Sequence, residues 1–143
     1  MAASREATVT WQSELAFEAK VGSGHALDLD ASAEHGGQNG GPSPTELLLV
    51  GLGGCTGMDV IALLRKMRQD VTTYRVEVHG ARRDEHPQIY TEITVVHVVG
   101  GRDLDPRSVA RAVELSATRY CPASAMLSAA AKVEHSYRIE AEA

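Results

Sequence analysis

The sequence predicts an α+β fold in a single domain over residues 1–143, with antiparallel sheets around one long buried helix. Three observations carry that prediction. Apolar and polar residues alternate with period two near the N-terminus and again over 74–99. Ser43-Pro44-Thr45-Glu46 has the form of a helix start and leads straight into an apolar run. The element order is strands, long helix, strands, two helices, strand. A chain of 143 residues can bury a sizeable core without disulfide staples.

Taken in order, Thr8-Val9-Thr10-Trp11, Leu15–Ala19 and His25–Asp30 alternate and predict a meander of two or three antiparallel strands. Glu34–Gly41 is too glycine-rich for regular structure, and reads as a loose connector or as a segment that approaches a ligand or partner closely. The helix from Ser43 to about Arg68 would be roughly 37 Å long at about 1.5 Å per residue. Leu47, Leu48, Val50, Leu52, Met58, Val60 and Leu64 make it apolar all round, which predicts burial on every face and a homodimer that supplies the cover. Gly51, Gly53, Gly54 and Gly57 cost about 1 kcal/mol each against alanine in a helix interior. Close backbone approach around Cys55 is the expected reason. Tyr74–Gly80 and Tyr90–Val99 are the next strands, with Gly100-Gly101 as their end. Asp105-Pro106 opens a helix to about Thr118, Cys121-Pro122 opens a third to about Ala131, and Lys132–Glu140 closes the chain as a strand.

Charge and composition remove several functions. A net charge of −5 argues against nucleic acid, and Arg65-Lys66-Met67-Arg68 suits a helix C-terminus better than a phosphate backbone. The first six residues lack an apolar signal core, and no apolar stretch is expected to span a bilayer, so the expected location is cytoplasmic. No cofactor or metal is expected: the six histidines lack close ligand spacing to the cysteines.

The chemistry rests on two cysteines, Cys55 after Gly53-Gly54 and Cys121 before Pro122. They lie 66 residues apart, so only the fold can bring them together. Cys121 precedes a helix-opening proline, where unpaired N–H groups favour an anion and lower a thiol pKa. Cys55 lies about three turns into its helix and would need a cation or a glycine-lined pocket. The plain alternative is that both are small buried apolar side chains.

Pro42-Ser43-Pro44-Thr45-Glu46-Leu47-Leu48-Leu49, Gly53-Gly54-Cys55-Thr56-Gly57-Met58-Asp59-Val60 and Tyr120-Cys121-Pro122-Ala123-Ser124 resemble the OsmC/Ohr family of organic-hydroperoxide-resistance proteins, as a divergent branch. The resemblance implies an OsmC-like fold, an intertwined homodimer with its sites at the subunit interface, and reduction of organic hydroperoxides at the expense of an external dithiol reductant. It implies Cys55 as the peroxidatic cysteine, Cys121 as the resolving one, and a catalytic glutamate at the helix start, for which Glu46 is the candidate. Two positions depart from the family pattern. Family peroxidases pair the reactive thiolate with an arginine from an N-terminal loop, and residues 20–50 contain none. Thr45 stands where the family glutamate tends to be, and the capping role accounts for Glu46 without catalysis. These departures favour a second reading, a non-enzymatic protein that binds a small apolar ligand or senses redox state. A cysteine-dependent hydrolase or acyl carrier ranks third, because no His-Asp pair stands at a recognisable spacing to Cys55.

Overall fold

The structure is a computed structural model that describes residues 4–141. Its chain divides into two compact units at the Leu48–Leu49 junction. In the first unit, β1 (Ala7–Ser13), β2 (Ala16–Val21) and β3 (Ala26–Leu29) form the expected antiparallel meander in the order β1-β2-β3. Register sorts the side chains onto two faces. Val9, Ala19 and Leu27 stand opposite one another, as do Trp11, Phe17 and Leu29, whereas Thr10, Glu18 and Asp28 share the other face. Ala19 on the apolar face is buried, but Trp11 is 62% exposed.

The glycine-rich loop is not a loose connector. It wraps the buried Asp30, whose Oδ1 accepts from Ala31 N at 2.7 Å and whose Oδ2 accepts from Gln38 N at 3.2 Å and Gly40 N at 3.1 Å. A Cβ on Gly37 would collide with the Ala31 carbonyl, and one on Gly41 would lie 2.5 Å from the Asp28 carbonyl oxygen. Close packing against the chain's own backbone is what these glycines permit.

The long helix α1 runs Pro44–Lys66 across the junction. At its start Glu46 Oε1 accepts from both Ser43 N and Ser43 Oγ at 2.9 Å, the reach-back half of a capping box. Within the chain only one stripe of the helix is buried: Leu52, Thr56, Val60 and Leu64, at i, i+4 spacing. Burial on every face does not occur inside one chain, because the sheet covers a single side; Val50 and Met58 stay exposed, Met58 at 74%. By length and composition α1 also reaches bilayer-spanning size, contrary to expectation. Its buried stripe nevertheless packs into the hydrophobic core of a mixed α+β unit.

The second unit holds β4 (Asp70–Arg82), β5 (Tyr90–Arg102), α2 (Pro106–Leu115), α3 (Pro122–Ser128) and β6 (Lys132–Glu140). Between α2 and α3, Ser116–Tyr120 forms a π turn closed by Cys121 N donating to Ser116 O at 2.9 Å. The sheet order is β4-β5-β6, antiparallel between β4 and β5 but parallel between β5 and β6. This corrects the expectation of purely antiparallel sheets. The two helices carry the chain back to where β5 begins, so Lys132 pairs with Glu92 and both strands run the same way. Gly100 and Gly101 do not end β5. They sit at a bulge against β4, where a side chain would strike Thr73 Oγ1 and the Asp70 carbonyl.

One sheet face meets the helices. Val99 packs with Val60, Leu64, Val109, Ala112 and Val113, and Ile93 and Val95 pack with Leu52, Cys121 and Ala131. On the other face the buried Val98 is flanked by Arg75 and Arg138. Arg75 binds Glu77 at 3.0 Å and Glu140 at 2.9 Å, and Arg138 reaches Glu77 at 3.5 Å.

Candidate functional site

The fold brings Cys55 and Cys121 together. Cys121 is 3% exposed in the cluster with Leu52, Ile93, Val95 and Ala131, and the half-buried Cys55 packs against it from α1. Both are free thiols. Two of the four α1 glycines explain the approach of that helix to the sheet. A Cβ on Gly53 would lie 3.1 Å from Val78 Cγ2, and one on Gly57 3.3 Å from Val76 Cγ2. Among the described residues Gly51 and Gly54 face nothing within 4 Å, so close approach does not account for them.

Cys121 caps α3, as its sequence context predicts: Ser124 N donates to Sγ at 3.3 Å. The expected consequence is reversed, however. Burial pushes the thiol up to about 11, against the pull of the Ser124 and Ala123 N–H groups, and a hydrogen bond with Cys55 adds to the rise. Among the groups that set this value there is no cation. A short helix start is a weak influence beside removal from water. Glu46 is taken up by the helix start, where its bonds to Ser43 hold the carboxyl below its usual range.

Two buried polar groups adjoin the thiols, and the sequence analysis singled out neither. Beside Cys55, the buried Thr56 Oγ1 lies 2.7 Å from Ser116 Oγ, and Ser116 Oγ donates to Asp59 Oδ2 at 3.0 Å. The carboxylate accepts, so Ser116 gives its proton to Asp59 and Thr56 gives its own to Ser116. Ser116 continues the buried face of α2, in phase with Val109, Ala112 and Val113. Next to Cys121, Tyr74 OH lies 2.7 Å from His97 Nδ1, His97 Nε2 lies 3.2 Å from His135 Nδ1, and His135 Nε2 lies 3.1 Å from Ser124 Oγ. The three rings stack, with centroids 6.1 and 5.5 Å apart. Burial, and then the neighbouring His135, push His97 down to about 4, and burial lowers His135 as well. Burial, then the Asp59 charge, raise Tyr74 beyond the ordinary phenol range. Both histidines are therefore neutral near pH 7. One sequence signal could have found His97: it stands in phase with Ile93, Val95 and Val99, on the buried face of its strand. Among the described residues, no group of three His, Cys, Asp or Glu side chains is placed to hold a metal ion.

The model of the family described as OsmC-like protein matches residues 36–136, a span that includes both cysteines and the histidine chain. The chain belongs to the OsmC-like protein family. Protein YhfA of Escherichia coli (strain K12) is 40% identical to this OsmC-like chain over 136 residues, covering 95% of this chain and 98% of that protein. A crystal structure of a protein from Aquifex aeolicus VF5 superposes with a TM-score of 0.87 at 32% identity, over 99% of this chain and 100% of that one. An organic hydroperoxide resistance protein from Elizabethkingia anophelis shares the OsmC-like fold with a TM-score of 0.75 at 14% identity, over 98% and 99% of the two chains.

Proposed function

We propose that this OsmC-like protein reduces organic hydroperoxides through its two cysteines. The observation that carries the reading is the contact between the Cys55 and Cys121 thiols inside one apolar cluster. The Cys55 thiolate attacks the peroxide oxygen, the O–O bond breaks, and with one proton the products are Cys55 sulfenic acid and an alcohol. The Cys121 thiol then displaces the sulfenic oxygen as water and leaves a Cys55–Cys121 disulfide, which an external dithiol reduces by exchange. The half-buried Cys55 suits the first role, and the buried, high-pKa Cys121 suits the second. Kinship with a fold that includes a hydroperoxide resistance protein supports the substrate class.

The working form is a homodimer. One chain leaves Trp11 on its first sheet and Val50 and Met58 on α1 exposed, apolar surface that a second copy would cover. A sedimentation mass near 15.3 kDa would sink the dimer.

Free-thiol counting tests the chemistry. Cumene hydroperoxide added to the reduced protein should remove both thiols per chain, and Cys55→Ser should form no intramolecular disulfide. Thiols that survive excess hydroperoxide would refute peroxidase activity. One observation favours the second reading, slow redox sensing without turnover: residues 20–50 supply no arginine to pair with a Cys55 thiolate. Turnover with a dithiol separates the two.

A further inference from the structure

Beside the thiol pair, a groove of about 540 Å³ opens between α2, the π turn, α3 and β6. Val113, Ala117 and Val133 supply apolar wall, and His135 and Ser124 are the last two members of the buried hydrogen-bond chain that reaches it. The direction of that chain can be worked out. A neutral imidazole has one N–H to give and one nitrogen to accept with. Among the described residues Tyr74 has His97 Nδ1 as its hydrogen-bond partner, and a phenol that keeps its proton donates there. His97 then carries its proton on Nε2 and donates to His135 Nδ1. His135 in turn carries its proton on Nε2 and donates to Ser124 Oγ. All three links point the same way, so each strengthens the next. Among the described residues the hydroxyl proton of Ser124 is left without an acceptor, and the buried Ser124 belongs to the lining of the groove.

We propose that this groove binds a neutral small molecule with a short apolar body and a carbonyl oxygen, which accepts a hydrogen bond from Ser124 Oγ. The body lies against Val113, Ala117 and Val133. Neutrality follows from the walls. The histidines bring no charge, and Glu114 at the edge is matched by Arg111 at 3.8 Å, leaving no cation over for a carboxylate. An aligned chain of buried donors with an apolar surface beside it is the usual composition of a small-molecule site. The site is separate from the thiol chemistry and stands whether or not Cys55 reduces peroxides.

Ethyl hexanoate and hexanoate share their acyl chain and differ in charge, so they serve as probes with the full-length, isotope-labelled protein at pH 7.5. The ester should shift the amide resonances of Ala117, Ser124 and Val133 saturably, in the wild type and in Cys55→Ser alike. Hexanoate should bind at least tenfold more weakly. Ser124→Ala keeps the backbone N–H that caps Cys121 and should weaken the ester about fivefold or more, the worth of one hydrogen bond. Equal binding by Ser124→Ala, equal binding of the acid, or shifts that never saturate would overturn the proposal. A second measurement needs no variant: long-range ¹⁵N–¹H spectra report which nitrogen of His135 holds the proton. Nε2–H is expected, and Nδ1–H would turn the Ser124 hydroxyl inward and refute the site.

Discussion

The Cys121 thiol is raised to about 11, and in the proposed reaction that value would set how fast a disulfide with Cys55 closes. Only the thiolate attacks, so the rate of closure should follow its population. A thiol titrating at about 11 is ionised in about one molecule in 10,000 at pH 7 and about one in 100 at pH 9. Closure should therefore accelerate roughly hundredfold over those two pH units and keep climbing past about pH 10.5, where only about a quarter of the thiol is ionised. An ordinary thiol near ~8.5 would go from about 3% to about 75% ionised, a rise of about 25-fold that levels off soon after. One equivalent of cumene hydroperoxide would start the proposed reaction at Cys55, and disulfide formation would be timed by acid quench and mass spectrometry in competition with dimedone. A plateau at or below about pH 9.5 would refute the argument that burial outweighs the helix cap at Cys121. Alkylation of Cys121 in Cys55→Ser gives a control free of peroxide, since burial, the largest cause of the rise, remains. The same shift acts on folding. A thiol that titrates higher folded than unfolded stabilises fully below the unfolded value of about 8.5, and that contribution drains away as pH rises toward about 11. Urea midpoints should fall over that window and less so in Cys121→Ala.

Other perturbations read other parts of the structure. Gly80→Ala places a Cβ 2.7 Å from the Tyr90 ring and should cost about 1–3 kcal/mol in urea unfolding. Ser116→Ala leaves the buried Thr56 hydroxyl without its partner and should also cost about 1–3 kcal/mol; an unchanged midpoint would remove the Thr56–Ser116–Asp59 chain from the account. Met58→Glu puts a charge on the exposed side of α1 and should shift the sedimentation mass toward 15.3 kDa if that side is the dimer contact. Three backbone N–H bonds, led by that of Gly40, hold Asp30 below the usual carboxylate value of 3.8. Its clasp is complete above that value and is lost as pH falls through the lower folded one, so amide protection at Gln38 and Gly40 should collapse only in strong acid.

What the sequence made legible was local. Period-two alternation located the strands, and Asp105-Pro106 and Cys121-Pro122 announced two helices because a cap and a proline act on their immediate neighbours. The direction of β6 was not legible, since two helices between the strands decide which end the chain returns to. Gly100-Gly101 read as a stop because the Thr73 and Asp70 atoms that crowd them belong to another strand. The cap on Cys121 was foreseen and its pKa was not: the cap is made three residues away, whereas the burial comes from Leu52, Ile93 and Val95. The histidine chain was hidden for the same reason, with partners 23, 38 and 11 residues apart in sequence.

The π turn at Ser116–Tyr120 has a further consequence. A turn one residue wider than an α-helical one acts as a phase shifter: everything after it is rotated by about 100° relative to an unbroken helix. Cys121 and the helix it caps inherit that rotation. Deleting a single residue between 117 and 119 would turn the segment back into ordinary helix, with the cysteine four residues after Ser116 and close to its present bearing. The placement of the second thiol thus depends on the turn absorbing its extra residue: the same residues wound as unbroken helix would swing that thiol by about 100°.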